Sequence, residues 1–476
     1  MSILAIDQGT SGTKAVVVDE DGGILAIAEV PLRPNYLAGG GVEQDPDELL
    51  ASVLDAGRQA VAAAGRPVET VALANQGETV LAWDRATGRP LSSAVVWQDR
   101  RAQALCRERA SAREWVEART GLVLDSYFSA PKMAWLRRNV TAEGVVTTTD
   151  AWLIHRLTGA FVTDVATASR SLLVDVDRVE WDPELVDLWG LSDEALPEIV
   201  ACDEIVGATD VFGGEAAVAG LILDQQAALF AEACLTAGAA KCTFGTGAFL
   251  LANTGATAVR SRAGLTSSVA WQRRGETTYC LDGQVYTAAS AVRWLRDLGF
   301  IRRVEDVDEA AAGDSNGVLC VPALAGLAAP WWRPDATASF TGLTLSTRPE
   351  HMVRAVLEGI ASQVVELARL VERDFGAPLT RLRADGGLTK SVSLMQAVAD
   401  LLQLPVDIYP TAHATAVGAA AFARLALRTD LAPAEAVGGW TPSRTYEPRW
   451  SPDRATEHHA RWLAAADAAM PAEEKP

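Results

Sequence analysis

Four short segments of this 476-residue chain set residues capable of phosphate chemistry at the ends of apolar runs. The first is DQGTSGTK, Asp7 to Lys14. A carboxylate leaving a strand, then a turn of Thr10, Ser11 and Gly12, then Lys14, brings backbone N–H groups, hydroxyls and a cation to one point, as loops that hold phosphate oxygens do. Asp7 could hold a hydrated magnesium ion beside them. Gly, Ser and Thr also favour turns for conformational reasons alone, so a plain hairpin explains the same residues as well.

The second segment, LILDQQAAL, sets Asp224 and Gln225 between an apolar strand and an apolar helical run. A carboxylate there can take the proton of a hydroxyl that attacks phosphorus. It can also be an N-cap, the commoner fate of Asp before a helix and the reading that the local sequence favours. The third, CTFGTGAF, Cys242 to Phe249, is a second phosphate loop carrying Gly245 and Thr246, or a hairpin. The fourth, ADGGLTKS, Ala384 to Ser391, offers Gly386 and Gly387 for close approach to a phosphate or a flat ring, or for a tight strand-to-helix turn. Each has an ordinary structural explanation. Two phosphate-type loops and a third glycine turn in one chain point to a nucleotide in a cleft.

The elements that must position these residues are legible from periodicity. Residues 3–6, 15–19 and 24–30 are short strands joined by tight turns, an antiparallel meander. Residues 45–64 then carry apolar positions at helical spacing, 68–75 form an apolar strand, and 94–97 another. The same grammar returns after a glycine-rich stretch at 207–220. Strands at 241–246, 249–253, 267–271 and 277–281 precede helical patterns at 288–298, 349–374 and 392–402. The chain is thus an α/β protein of two similar halves, expected to divide as 1–220 and 221–430, and the cleft between them is the expected site. Residues 431–476 are expected as a C-terminal extension whose last part, from 464, is a frayed tail.

Composition excludes several classes. Lys and Arg number 42 against 61 Asp and Glu, a net charge of −19 that disfavours nucleic acid and anionic lipid. No apolar run approaches a membrane span, and the N-terminus lacks a signal-peptide pattern. The six cysteines form no CxxC pair, so a reduced cytoplasmic protein is expected. There is no GxxxxGK[ST] loop, no GxGxxG after a strand, no HExxH and no GxSxG. The five histidines are scattered, apart from the pair His458 and His459, expected in solvent. Trp135 and Trp294, at helical spacing, are expected in the core rather than against a sugar.

Taken together, the segments resemble the FGGY family of carbohydrate kinases, collinearly from Leu4 to about Leu427. YFSAPKMAWLRRN (Tyr127 to Asn139) fits one family signature, and the stretch from Ala338 through Gly342 and Leu343 to HMVRAVLE (His351 to Glu358) fits the other. WQDRR, TDVATASR, FGTGAFLLANTG and VPALAGLAAPWW add to the likeness, which is greatest toward the members that phosphorylate glycerol. The resemblance implies a two-domain actin-like ATPase (ribonuclease H-like) fold with duplicated domains flanking a cleft. It implies ATP and Mg2+ as cofactors and transfer of a phosphoryl group to a polyol or sugar hydroxyl. It implies Asp224 as catalytic base, against the cap reading, and Asp7 as the magnesium-associated carboxylate. Thr10, Ser11, Gly12, Lys14, Gly245 and Thr246 fall on the phosphate loops, and Ala289, Arg293, Gly386, Gly387 and Ser391 on the nucleotide side.

Gly77, Glu78, Trp97, Tyr127, Asp224, Gln225 and Phe249 fall on the positions that contact the acceptor. Gly77 is a departure, because the glycerol-specific members carry an arginine there, in NQRET rather than NQGET. Losing that fixed fork of donors should empty space and favour an acceptor longer than glycerol, a tetritol or pentitol. A ketose kinase like the xylulose kinases, and a nucleotide-binding regulatory protein without catalysis, are the alternatives. Relatives often form dimers or tetramers, so a homo-oligomer is expected.

Overall fold

The strands Ser2–Gly9 (β1) and Gly12–Asp19 (β2) form an antiparallel hairpin closed by Thr10 and Ser11, with Gly9 opposite Gly12 and Asp7 opposite Lys14. Gly12 is required there, since a Cβ would stand 2.9 Å from the Val30 carbonyl oxygen on the next strand, Ile24–Pro31 (β3). Helix α1 (Pro46–Ala64) starts where the Asp45 carboxylate accepts the N–H groups of Asp47 and Glu48, and stops at Gly65, whose φ of 67° favours glycine. Strand β4 (Thr70–Asn75) then pairs parallel to β1. After α2 (Ser129–Asn139), strands β5 (Ile205–Thr209) and β6 (Ala216–Leu223) complete a sheet of order β5-β6-β4-β1-β2-β3. Helix α3 (Asp224–Ala231) leaves the end of β6. This computed structural model describes residues 2–470.

The second half repeats the plan. Strands β7 (Ala240–Phe244), β8 (Ala248–Gly255), β9 (Thr266–Arg273) and β10 (Glu276–Val285) pair antiparallel, with β10 between β8 and β9. Parallel to β7 lie β11 (Leu382–Asp385) and then β12 (Val406–Ile408), with β13 (Arg444–Tyr446) antiparallel at the edge. The order is β9-β10-β8-β7-β11-β12-β13. Each sheet is thus an antiparallel part continued by parallel strands and closed by an antiparallel edge, which is the duplicated α/β architecture expected from the sequence.

Helices α4 (Ala289–Asp297), α5 (Pro349–Phe375), α6 (Val392–Leu402), α7 (Ala414–Leu427) and α8 (Pro452–Ala468) complete the chain. One face of β1 (Leu4, Ile6) packs with Leu49 and Val53 of α1, while the other (Ile3, Ala5) packs with Ala416, Ala420 and Phe422 of α7. Helix α7 therefore belongs by packing to the first sheet. Among the described residues no helix is long and apolar enough to cross a membrane.

Three expectations change. The glycine-rich stretch at 207–220 is woven into the first sheet, with Gly207 in β5 and Gly220 in β6, and the second sheet begins only at Ala240. The C-terminal extension supplies β13 and α8, and Ala465 and Ala466 of its expected tail are buried; residues 471–476 of that tail lie outside the described residues. His459 is buried rather than solvated, its Nε2 lying 2.8 Å from Oε2 of Glu366, and His458 is half-buried. Pattern counting misses this because α8 is mostly alanine and charge, with few large residues to announce a buried face. Trp135 and Trp294 are half-buried at the edges of cores, Trp135 under the Arg101 guanidinium and Trp294 stacked on Phe340.

Candidate active site

Parallel pairing aligns β1, β4 and β6 so that Gln8, Asn75 and Leu223 stand in register. Their ends release Asp7, the loop Gln76–Gly77–Glu78 and Asp224 at one edge of the sheet, where ligands bind in open α/β sheets. The β7–β8 turn of the second sheet faces them. Between lies a cavity of about 210 Å3, lined by all seven residues expected at the acceptor: Gly77, Glu78, Trp97, Tyr127, Asp224, Gln225 and Phe249. Thr10, Ser11, Thr246 and Gly247 line it as well.

Three aromatic side chains make one wall. Trp97 meets Tyr127 and Phe249 edge to face, at centroid separations of 5.5 and 6.0 Å. The Trp97 Nε1–H donates to Oγ1 of Thr10 at 2.9 Å, and that hydroxyl donates to Oε1 of Gln76 at 2.9 Å. The first glycine loop and the aromatic wall are thereby one hydrogen-bonded unit.

Asp224 is the first residue of α3 but caps nothing. Its Oδ1 accepts only the N–H of Gln225, at 2.6 Å, and no side chain caps the helix start. Burial, reinforced by the charges of Asp7 and Glu78, pushes its carboxyl up to about 7. Burial also raises Asp7 to about 6, Asp385 adding to the shift and Lys14 opposing it. A carboxylate poised near neutral pH suits proton transfer, and an N-cap has no use for such a shift.

Several residues that hold the site were not singled out from sequence. Glu78 adopts φ 57°, a left-handed conformation that needs outside support. Arg170 supplies it: its Nε donates to Glu78 and its Nη1 to Asp282, and all three side chains are buried. Buried Lys132 donates to the carbonyls of Ser126, Tyr127 and Phe128, which fixes the turn presenting Tyr127; burial lowers its ammonium to about 8. Lys241 Nζ donates to Oε1 of Gln225 and Oγ1 of Thr243, each at 2.7 Å. Arg170 and Lys132 lay inside the TDVATASR and YFSAPKMAWLRRN segments, but sequence spacing gives no sign of which carboxylate or carbonyl each one meets.

The room expected at Gly77 is not vacant. A Cβ there would stand 2.7 Å from Cδ1 of Leu223, so the leucine that ends β6 occupies the space above the glycine.

Apart from Thr246, the remaining expected residues lie around the cavity rather than in its wall. Gly12 and Lys14 are in the β1–β2 hairpin. Gly245 and Thr246 cap α4, whose Ala289 N–H donates to the Gly245 carbonyl at 3.0 Å and whose Ser290 N–H donates to that of Thr246 at 3.2 Å. Arg293 lies one turn further along α4. Gly386 fits against the backbone of Phe244, where a Cβ would come within 2.5 Å of the carbonyl oxygen, and Gly387 opens the short helical turn that follows. The Ser391 hydroxyl is committed elsewhere, donating to Asp308 at 2.8 Å and accepting the Leu394 N–H at the start of α6.

This donor set fits a nucleotide triphosphate with magnesium. Gly247 and Gly386 pack so closely that side chains are excluded, which leaves backbone facing the cleft. Among the described residues no cluster of three or more His, Cys, Asp or Glu forms a cage for a metal ion. Magnesium at nucleotide sites keeps several waters and takes one or two carboxylates plus phosphate oxygens, which is what Asp7 and its neighbours can provide.

The sequence matches the N-terminal domain model of the FGGY family of carbohydrate kinases over residues 2–231 and the C-terminal domain model over residues 240–427. The chain belongs to the FGGY family of carbohydrate kinases. Relatives of this FGGY kinase include a glycerol kinase of Aromatoleum aromaticum, 42% identical with 98% of each chain covered, and one of Deinococcus radiodurans, 38% identical with 97% and 96% covered. Among solved structures, Plasmodium falciparum glycerol kinase with ADP matches at a TM-score of 0.89 and 30% identity, covering 99% of this chain and 98% of that one. The xylulose kinase of Lactobacillus acidophilus matches at 0.88 with 20% identity and 98% of each chain covered, a likeness of fold alone. The family models and these relatives assign the FGGY kinase class, and the acceptor has to be argued from the cavity.

Proposed function

We propose that this kinase transfers the γ-phosphoryl group of ATP to a primary hydroxyl of a small neutral polyol, glycerol or a longer alditol, in the cytoplasm. The observation that carries this reading is the position of Asp224, in one cavity with the phosphate-type loops of Thr10, Ser11 and Thr246 and with the aromatic wall of Trp97, Tyr127 and Phe249. A hydroxyl against that wall comes within reach of both a base and a phosphoryl donor. Charge supports neutrality of the acceptor: the lining carries Glu78, Asp224 and Asp282 against Arg170, whose guanidinium already serves two of the three carboxylates. An acid in that pocket would meet like charge with no free cation.

In the reaction, Asp224 accepts the proton of the attacking hydroxyl, Glu78 and Gln225 accept and donate hydrogen bonds to the remaining hydroxyls, and the aromatic rings hold the carbon chain. Backbone N–H groups of Thr10 to Gly12 and Gly245 to Thr246, with the Ser11 and Thr246 hydroxyls and Lys14, hold phosphate oxygens. Ala289, Arg293, Gly386 and Gly387 bound the nucleoside, and Ser391 fixes the start of α6 behind it. Magnesium, held by Asp7 through water, would neutralise charge on the phosphates. The test is Asp224→Asn. Nucleotide binding measured by calorimetry should be unchanged while ADP release with glycerol falls by roughly 10²-fold or more; turnover near that of the unaltered enzyme would refute the assignment.

A further inference from the structure

A second cavity, of about 250 Å3, adjoins the acceptor site and shares with it Tyr36, Trp97, Gln98 and Tyr127. Resting on the polyol-kinase reading, we propose that this second cavity is an extension subsite that takes carbons four onward of a linear five- or six-carbon alditol whose phosphorylated end lies at Asp224. At about 30 Å3 for each water-sized group, its volume of about 250 Å3 has room for the four to six carbon and oxygen atoms of that far end.

Its chemistry is that of a surface for polyhydroxylated carbon. Trp97, Tyr127 and Tyr286 give it aromatic walls, suited to C–H groups. Arg100 also lines it, its guanidinium 5.1 Å from the Tyr286 ring centre, while Asp125 spends one carboxylate oxygen on the Tyr127 N–H. One observation points to a ligand. Tyr36, on a two-residue strand at the shared rim, is 71% exposed, a large ring held over both cavities with little protein against it. Gly40 and Gly41 line the second cavity with backbone only. It also provides the length that Leu223 denies at Gly77.

Ala325 is exposed and lines the second cavity alone. Initial rates of ADP release should be compared for glycerol, xylitol and sorbitol with the unaltered enzyme, Ala325→Trp, and Arg100→Ala. The subsite predicts turnover of at least one longer alditol, a fall of about tenfold or more in its kcat/KM in both variants through KM, and glycerol kinetics within twofold of the original. Equal effects on glycerol and the longer alditol, or none on either, would overturn it, as would turnover of glycerol with neither longer alditol accepted. Absence of ADP release with every acceptor, while ATP still binds, would instead remove the polyol-kinase reading on which the subsite rests. Arg100→Ala opens space where Ala325→Trp fills it, so a folding defect in one leaves the other to decide.

Discussion

Gly77 and Leu223 exclude one another's side chains: a methyl group added at 77 would stand 2.7 Å from Leu223 Cδ1. Leu223 ends β6 in register with Asn75, the last residue of β4, and Gly77 follows in the loop after Asn75, so the two sit beside the strand ends that carry Asp224 and Glu78. Overpacking at such a site costs about 1–3 kcal/mol. Gly77→Ala should therefore lower unfolding stability by that order in denaturant titration. Combined with Leu223→Ala it should cost less than the sum of the two single changes, by about 0.5 kcal/mol or more. Strict additivity would show that the two residues do not compete for one space.

The pH dependence of the acceptor step follows from Asp224. A general base must be ionised, so kcat/KM should rise with pH through an apparent value of about 7 and then level. Asp7 is one of the charges that raise it, so Asp7→Asn should move the rising limb to lower pH while lowering the plateau. A limb unmoved in that variant would mean that another group titrates.

The same shift has a consequence for stability. The folded carboxyl of Asp224 is raised from 3.8 to about 7, so the folded state binds its proton more tightly than the unfolded chain, and this contribution to stability is lost as pH rises from about 4 to 7. Asp224→Asn should accordingly raise the melting temperature at pH 8 by roughly 2 °C or more, and the gain should vanish near pH 4. Equal gains at both pH values would assign the effect to something other than the buried charge.

Arg170 links Glu78 and Asp282 across the two halves, one carboxylate from the first and one from β10 of the second. Removing the cation leaves two buried carboxylates unpaired, a loss of about 3–5 kcal/mol. Arg170→Met should show it in thermal unfolding, and a preparation that folds should have a raised KM for the acceptor through Glu78. Unchanged stability and KM would mean that the pair is replaceable by water.

The residues that could do chemistry were legible because each needs a particular type at the end of an apolar run, as with Asp7 after 3–6, Asp224 after 216–223, and Gly386 after the short strand of Leu382. The alternation of Leu4 and Ile6 against Ile3 and Ala5 likewise marks a strand covered on both faces. What stayed hidden is the third dimension of those ends. Gly77 reads as a hole, because a sequence cannot show that Leu223, 146 positions later, fills it. Arg170 and Lys132 read as ordinary polar residues of their helices until their buried partners are seen.

Helix α8 shows the same limit at the chain's end. Its Trp462 is fully buried and its Nε1–H donates to the Cys320 carbonyl at 2.8 Å, so the segment that reads as an extension closes a core. Trp462→Ala should cost about 3–5 kcal/mol in unfolding experiments, a loss that a solvated tail could not produce.

Helix α7 covers one face of the first sheet, yet it lies some 190 residues after β6 in the chain. Its fit leaves no slack: a Cβ on Gly220 would meet the Ala419 carbonyl oxygen at 2.6 Å, and one on Gly418 would meet that of Ala227 at 2.0 Å. During synthesis Ile3, Ala5 and Phe230 must therefore wait, uncovered, while the second sheet is made, about ten seconds or more at ribosomal speed. The half that the sheets repeat is not the unit that can fold first, and the nascent chain presents its earliest apolar face to chaperones until almost its last tenth has emerged.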